Sequence, residues 1–333
     1  MKLLTLLSFL MLTGSMQAQT LHPRLTQQVS FPEQLPAGNY SGITYLGHDN
    51  YAVVSDKGRA GFYTLHIDIN SRTGEISKVD RVRFVEMTGR NADFEDIAYV
   101  PEDKNLWVAS EQKSEIFEVK ADGSLTGRHL PLPKVFRQAS KALGIEALTY
   151  DSHNRLFWTV NEGPLNGDGE TAKPGTRVKQ KLRLTSTAPN RTPTQYLYVM
   201  DEPTASEKGS KYAMGVSAVT AINATQLLVL EREFYVPETR LGAFVKCKLF
   251  LVTPDTRSVI SSSLTQTEPL HKTLVCQWST KLGLLNFSLA NYEGMCLGPT
   301  LNDGSQVIVL IADSQNQYSG VLQDWLKTIV LRP

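Results

Sequence analysis

The segment Glu146-Ala147-Leu148-Thr149-Tyr150 is followed by the turn Asp151-Ser152-His153-Asn154 and by a second hydrophobic strand that closes on Glu162. Four further units of the chain repeat this pattern, with opening residues Ser41, Glu95, Ser217 and Glu293 and closing residues Asp56, Glu111, Glu231 (or Glu233) and Asp313. Short turns of this kind join antiparallel neighbours. Because a hairpin places the start of one strand beside the end of the next, each opening residue should lie beside its closing acid.

These repeats predict an all-β fold, a β-propeller with about five to six four-stranded blades. In blade four the predicted strands are 217–222, 226–231 and 246–252, with an outer strand within 258–278. The region 258–290 leaves the blade count open, because it has room for a further blade. Blade five lacks a fourth strand, and we expect the segment 25–31 to supply it by pairing with the C-terminal strand.

The N-terminus has the pattern of a signal peptide over residues 1–18, with Lys2, an apolar stretch at 3–12 and the cleavage site Met16-Gln17-Ala18. The mature chain, 19–333, is predicted to be a single propeller domain that is exported to the periplasm or secreted. The apolar stretch is too short to cross a bilayer, and no later segment is apolar for long enough, so no membrane span is expected.

The charge and cysteine content exclude some partners and leave others open. The chain has 34 basic and 33 acidic residues, so it lacks the basic excess that a nucleic acid or an anionic membrane would require. Its three cysteines are an odd number, which leaves at least one thiol unpaired in an exported protein. Both a bridge between Cys247 and Cys276 and three buried thiols remain open, and the oligomeric state is not set by the sequence.

The repeat geometry predicts a ring of carboxylates at one mouth of the central channel. Carboxylate oxygens are the ligands that Ca²⁺ prefers, and crowded carboxylates raise one another's pKa unless a cation is present. For each acid, the alternative is a cap that accepts hydrogen bonds from loop amides. The predicted Ca²⁺ ligands are Asp56, Glu95, Asp96, Glu111, Glu146, Glu162, Glu231, Glu293 and Asp313.

Basic residues are predicted at the same mouth, where Lys57, Arg59 and Arg232 would bind a phosphate or carboxylate of a substrate. Salt bridges to neighbouring acids are the alternative role for these three residues. The chain has no Gly-x-Ser-x-Gly motif and no phosphate-binding loop, and its histidines lie outside the closing motifs. Any hydrolysis is therefore expected to use a metal-activated water, with catalytic roles for Glu95, Glu146, Glu162 and Glu293.

Five segments occur in order along the chain: Phe94-Glu95-Asp96-Ile97-Ala98, Gly144-Ile145-Glu146-Ala147-Leu148, Trp158-Thr159-Val160-Asn161-Glu162, Asn291-Tyr292-Glu293-Gly294-Met295 and Ala312-Asp313-Ser314. Together they resemble a known family of exported bacterial β-propellers, the phytase-like domain or "esterase-like activity of phytase" family. The resemblance implies hydrolysis of phosphate or carboxyl esters. Ser41 and Ser217 depart from an all-acidic ring.

The leading hypothesis is therefore an exported phytase-like or esterase-like hydrolase that acts on a small-molecule ester or phosphorylated substrate with Ca²⁺ bound at the acidic mouth. Two alternatives remain open. One is a non-catalytic propeller that binds a sugar, peptide or protein through its mouth, and the other is a metal-dependent lactonase. Assays with generic esters, with and without a chelator, separate these hypotheses.

Overall fold

The computed structural model describes residues 21–91, 93–138, 144–261, 263–318 and 322–332. The predicted signal peptide lies outside these residues. The described chain is all-β, with short 3-10 turns at Lys134–Gln138, Thr256–Ser258 and Leu264–Gln266. Its strands form five antiparallel sheets, which are the five blades of a propeller.

The strands follow one another around the ring in chain order. The chain begins with two short strands, β1 (His22–Leu25) and β2 (Val29–Ser30). Blade one contains β3 (Tyr40–Gly47), β4 (Asn50–Ser55), β5 (Gly61–Ile69) and β6 (Ile76–Glu86). Blade two contains β7 (Phe94–Val100), β8 (Asn105–Ser110), β9 (Glu115–Val119) and β10 (Leu125–His129). Blade three contains β11 (Ile145–Asp151), β12 (Leu156–Asn161), β13 (Lys181–Thr187) and β14 (Thr194–Val199).

Blade four contains β15 (Lys211–Ala221), β16 (Leu227–Val236), β17 (Phe244–Val252) and β18 (Lys272–Lys281). Among the described residues of 258–290, β18 is the outer strand of this blade and pairs with β17, so of the five to six blades predicted the structure has five. Strands β15 and β16 are also longer than predicted. The segment 232–235 continues the strand because its side chains point alternately to the two faces of the sheet and its residues pair with both neighbouring strands.

Blade five contains β19 (Asn291–Thr300), β20 (Gln306–Asp313) and β21 (Trp325–Arg332), and the N-terminal strands complete it. Strand β1 pairs antiparallel with β21, with His22 opposite Arg332, and β2 pairs with the beginning of β21. Between them, the backbone N–H of Thr26 donates to the carbonyl oxygen of Thr328 over 3.0 Å. The predicted closure is confirmed, and it begins at His22, upstream of the predicted segment 25–31.

The first strands of the five blades surround the central channel, and each contacts the first strands of both neighbouring blades. Five buried hydrophobic clusters occupy the spaces between adjacent blades. In one of them, Ile43 and Val53 of blade one pack against Val309 and Ile311 of blade five. Full burial of such side chains contributes about 1.5–3 kcal/mol each, so the blades are held together mainly by apolar packing.

The three thiols are unpaired in the structure. Cys247 lies opposite Trp278 in the pairing of β17 with β18, whereas Cys276 lies opposite Leu249. The two cysteines therefore occupy different register positions of adjacent strands. Burial raises the pKa of Cys247 to about 12, so this thiol remains protonated at neutral pH.

Candidate functional site

Each first strand contains a β-bulge at the same place in the repeat. The pairing with the second strand shifts by one residue at five positions: between Tyr40 and Gly42, Phe94 and Asp96, Ile145 and Ala147, Val216 and Ala218, and Tyr292 and Gly294. The unpaired residue is in every case the opening residue of the repeat: Ser41, Glu95, Glu146, Ser217 and Glu293. A bulge redirects a side chain relative to the sheet. The backbone therefore repeats the same geometry in all five blades.

A cavity of about 870 Å³ opens at this end of the channel. Its lining contains eight carboxyl groups, from Asp56, Asp93, Glu95, Glu111, Glu146, Glu162, Glu293 and Asp313. Among the described residues, the basic side chains of the lining are those of Lys57, Lys211 and Arg232. Glu95, Glu146, Glu162 and Glu293 thus face one mouth, as the hairpin register predicts. Tyr45, Tyr99 and Tyr150, at the far ends of their strands, line a separate pocket.

Three of these acids form the tightest group of possible ligands. Asp93, Glu95 and Glu111 each offer one oxygen atom, and the three atoms lie within 4.8 Å of one another. The side chain of Glu111 is oriented by the backbone N–H of Gly144, which donates to its Oε1 over 2.7 Å. Asp93 is absent from the sequence-based set of ligands. Its position two residues before Glu95 was the available signal, since alternate residues of a strand share a face.

Burial and mutual repulsion raise the pKa values of this cluster. Burial raises the pKa of Glu95 to about 10, and the charges of Glu111 and Glu293 add to the shift. Burial also raises the pKa of Glu111 to about 7, that of Glu293 to about 8 and that of Asp313 to about 6. Asp56 Oδ1 is buried and has no hydrogen-bond partner among the residues that the structure describes. Crowded oxygens with raised pKa values and an unsatisfied carboxylate fit a hard divalent cation such as Ca²⁺.

Arg232 neutralises the other side of the cavity. Its Nη1 donates to Glu293 Oε1 over 2.8 Å and to Asn291 Oδ1 over 2.9 Å, while its Nη2 donates to Glu162 Oε1. Only 5% of the Arg232 side chain is exposed. Burial raises the pKa of Glu162, and the adjacent guanidinium opposes that shift. Arg232 therefore lines the cavity, as predicted, but it forms a buried ion pair with two of the predicted catalytic acids.

The strand register explains why Arg232, and not Glu231, faces the cavity. Glu231 lies opposite Val216 just before the bulge, as Asn161 lies opposite Ile145 in blade three. Arg232 therefore occupies the position that Glu162 has in blade three, and Glu231 faces the opposite side. The carboxylate of Glu231 accepts hydrogen bonds from Tyr198 Oη over 2.8 Å and from Lys272 Nζ. The prediction of Glu231 as a ligand at the mouth is thus corrected.

Asp96 and Arg59 are also outside the cavity lining. Asp96 is buried, and its two carboxylate oxygens accept from the backbone N–H groups of Ile97 over 2.8 Å and Leu148 over 2.7 Å. It therefore joins the first strands of blades two and three by accepting hydrogen bonds from backbone amides. This is the alternative role that the sequence left open for each acid. Arg59 is exposed and pairs with Glu86 over 3.2 Å. Lys57 lines the cavity and pairs with Asp56 over 2.9 Å.

The fold and the site define a five-bladed propeller with a carboxylate-rich channel mouth. A protein-family model described as Phytase-like, "Esterase-like activity of phytase", matches residues 35–315. The chain belongs to this family, which confirms the resemblance seen in the sequence. A search of curated proteins finds no match to the chain. Among the described residues, no helix has the length and apolar character needed to cross a membrane.

Solved structures with a similar chain path are distant in sequence. The nidogen/laminin complex is 10% identical, with 88% of this chain and 85% of that chain covered and a TM-score of 0.37. The WD40 β-propeller domain of Doa1 is 11% identical, with 92% and 96% covered and a TM-score of 0.36. Hydrazine synthase from Kuenenia stuttgartiensis is 9% identical, with 87% and 80% covered and a TM-score of 0.36. At this level of similarity they carry no inference about activity.

The raised pKa values predict how the stability of cation-free protein depends on pH. A carboxyl group whose pKa is higher in the folded state stabilises the fold most below its unfolded pKa, and this contribution is lost as pH rises through the folded pKa. The pKa values of Asp313, Glu111, Glu293 and Glu95 are about 6, 7, 8 and 10. The Tm of chelated protein should therefore fall steadily between pH 5 and pH 9.

Calcium should reverse this loss at pH 8 and have little effect at pH 5, where protons occupy the carboxylates. A cation at a hundredfold excess over its Kd stabilises the folded state by about 2.7 kcal/mol, which raises Tm by roughly 5–10 °C. Differential scanning calorimetry at the two pH values measures both effects. Glu95→Gln and Glu146→Gln should reduce the rise, whereas Glu86→Gln, on the exposed outer strand, should retain it. An unchanged Tm with calcium at pH 8 would contradict a cation site.

Proposed function

We propose that the chain is an exported hydrolase that cleaves phosphate or carboxyl esters at the acidic mouth, with Ca²⁺ or a similar divalent cation bound there. The observation that carries this proposal is the convergence of Asp93, Glu95 and Glu111, whose oxygen atoms lie within 4.8 Å of one another. Membership of the phytase-like family and the propeller fold support a hydrolase of this class. The described residues of the cavity lining include no histidine, which favours water as the nucleophile over an activated side chain.

The three acids would hold the cation, which would polarise an ester oxygen and lower the pKa of a bound water. Glu111 is positioned for this role by its hydrogen bond from Gly144, and Glu95 by the bulge in β7. Glu146 adds a further carboxyl group on the neighbouring first strand, and its pKa is raised by burial and by Glu162 and Glu95. A cation would lower the pKa of all these groups and replace their protons.

Glu293 is the group that we assign to proton transfer. Burial raises its pKa to about 8 while the adjacent Arg232 opposes that shift, so Glu293 can gain or lose a proton near neutral pH, and its protonated form would give the proton to the departing ester oxygen. In this hydrolysis the oxygen of water bonds to phosphorus or to the carbonyl carbon, and the bond to the leaving oxygen breaks. The leaving oxygen receives the proton of Glu293, and the proton released by the water restores Glu293.

The charge of the cavity limits how an anionic substrate is bound. Eight carboxyl groups face three basic groups in the lining, so a phosphate ester would be repelled unless a cation reduced the negative charge. Arg232 already pairs with Glu162 and Glu293, which leaves Lys57 and Lys211 to contact the anion. The side chain of Lys57 is 70% exposed at the mouth. Arg232 would then orient the two glutamates instead of contacting the substrate.

A direct assay tests the proposed activity. Chelated protein should not hydrolyse p-nitrophenyl phosphate or p-nitrophenyl acetate, and calcium should restore turnover of at least one of them. Asp93→Asn and Glu95→Gln should lower kcat/KM at least 100-fold, which corresponds to about 2.7 kcal/mol of transition-state stabilisation. Glu86→Gln is the matched control, because Glu86 is an exposed acid outside the cavity. Turnover that is insensitive both to chelation and to these two substitutions would exclude the mechanism.

A non-catalytic binding propeller is the second candidate. It is favoured by one observation, the ion pairs of Arg232 with Glu162 and Glu293, which engage two of the four predicted catalytic carboxylates. The negative excess of the lining would then attract a cationic ligand. A calcium-dependent rise in Tm without turnover of any phosphate or acyl ester would support this candidate over the hydrolase.

A further inference from the structure

A second cavity of about 240 Å³ adjoins the acidic mouth. Most of its walls are apolar, with contributions from Phe234, Ala243, Leu282, Leu289 and Leu322. The two cavities are contiguous, because they share the lining residues Ser210, Lys211, Phe234 and Gln315. A ligand in the acidic mouth can therefore extend into an apolar space without leaving the protein.

The long strands of blade four build this cavity. Phe234 lies two residues after Arg232 on β16, so the two side chains project from the same face of the strand. Two backbone hydrogen bonds hold the opposite wall. The N–H of Leu282 donates to the carbonyl oxygen of Ala243 over 2.9 Å, and the N–H of Gly242 donates to the carbonyl oxygen of Leu282 over 2.9 Å. Phe234, Ala243 and Leu289 are themselves buried. The cavity is therefore preformed by the fold.

We propose that this cavity is a subsite for the apolar substituent of a substrate whose ester group lies in the acidic mouth. The proposal rests on the proposed hydrolase function and specifies its substrate class. An apolar cavity of about 150 Å³ is large enough to hold a benzene ring, so the space here accommodates a phenyl group or a branched alkyl chain. A densely phosphorylated sugar would instead place many polar groups against mostly apolar walls, where only Ser210, Lys211, Arg240 and Gln315 offer hydrogen-bond partners, and unpaired polar groups are costly.

The boundary between the cavities suits an ester that is polar at one end. Lys211 lines both cavities, and its Nζ lies 5.2 Å from the centre of the Tyr318 ring. Its ammonium group can therefore meet the negative charge of a phosphate ester or donate to the carbonyl oxygen of a carboxyl ester, while the substituent packs against Phe234 and Leu282. The substrate class is thus a monoester with a single compact aromatic or branched alkyl group.

Filling the cavity tests this assignment. Leu282→Trp places a large side chain in the wall, and Leu285→Trp introduces the same residue three positions further along, at a site that is 97% exposed. The neutral fluorescent probe N-phenyl-1-naphthylamine should bind the wild-type protein, and Leu282→Trp should weaken its binding at least tenfold, whereas Leu285→Trp should not. Leu282→Phe is a milder second variant if the melting temperature shows that Leu282→Trp is unfolded.

Turnover provides the second measurement, made with benzyl acetate and methyl acetate in the presence of calcium. Leu282→Trp should lower kcat/KM for the benzyl ester at least tenfold more than for the methyl ester, and Leu285→Trp should leave the ratio as in the wild type. Probe binding that is equal in the wild type and both Leu282 variants would overturn the subsite. So would an unchanged benzyl-to-methyl ratio in an active enzyme. Probe binding that depends on Leu282, without turnover of any ester, would retain the apolar site and reject the hydrolase.

Discussion

A chain that begins at Pro32 is expected to lose most of its stability, because it lacks the two strands that complete the fifth blade. Thr26 Oγ1 lies 2.9 Å from Thr328 Oγ1, and Lys327 Nζ donates to the carbonyl oxygen of Thr26, all in a buried setting. Each polar group that is left buried without a partner costs about 1–3 kcal/mol. Leu25 also packs against the cluster between blades four and five.

The summed loss should exceed about 5 kcal/mol, which lowers Tm by roughly 10–20 °C or prevents folding altogether. Thermal unfolding followed by circular dichroism measures this difference. The control is a chain that begins at Leu21, which retains both strands and should melt as the full chain does. The shortened chain should also aggregate, because β21 becomes an unpaired edge strand. Equal melting temperatures for the two chains would show that β1 and β2 do not close the ring.

Replacing Arg232 by Met is expected to produce the largest effect of any single substitution at the site. The change removes the partner of Glu162 and Glu293, and breaking a buried ion pair in this way costs about 3–5 kcal/mol. The two carboxyl groups would respond by taking up protons, so their folded pKa values would rise further. The stability that the protonated carboxyl groups contribute is lost as pH rises. The free energy of unfolding of the variant should therefore be much lower at pH 8 than at pH 5.

Urea unfolding at the two pH values checks this prediction, with the free energy of unfolding compared between wild type and variant. Arg59→Met is the matched control, because Arg59 forms an exposed pair with Glu86 and exposed pairs contribute little. The difference in the free energy of unfolding between wild type and Arg232→Met should increase from pH 5 to pH 8. The control Arg59→Met should not differ from wild type at either pH. A loss that is the same at both pH values would mean that the apolar stem of Arg232, and not its charge, supports the fold.

Much of the fold could be predicted because each blade is a local pattern. The turn after β11 and the alternation in β5 are encoded by neighbouring residues, and the turn was predicted directly from Asp151-Ser152-His153-Asn154. The number of blades was harder to predict from the sequence. Strand β18 is exposed or half-buried along most of its length, so it lacks the apolar alternation that marks an inner strand.

The candidate site shows where local patterns stop being sufficient. Convergence of Glu95, Glu146, Glu162 and Glu293 follows from the repeat, because equivalent positions in a propeller share one mouth. The predictions for Glu231 and Asp96 were wrong because a register shift of one residue decides which face of the sheet each side chain occupies. The bulges that set this shift are formed by pairing between strands, and the sequence of one strand does not reveal them. Comparison of blade four with blade three, residue by residue, would have excluded Glu231 and assigned Arg232, already predicted at the mouth, to the position of Glu162.

The pairing of β1 with β21 in the fifth blade also governs the order in which the protein can fold during its synthesis. Thr26 and Thr328 are 302 positions apart, so the first strand leaves the ribosome long before its partner exists. Blades one to four can form from neighbouring segments as they emerge, whereas the last sheet requires both ends of the chain at once. Joining such distant segments carries a large loop-closure entropy, which slows folding. Ring closure should therefore be a late step in folding, and the segment that contains β1 and β2 must stay extended and unaggregated until β21 has been synthesised.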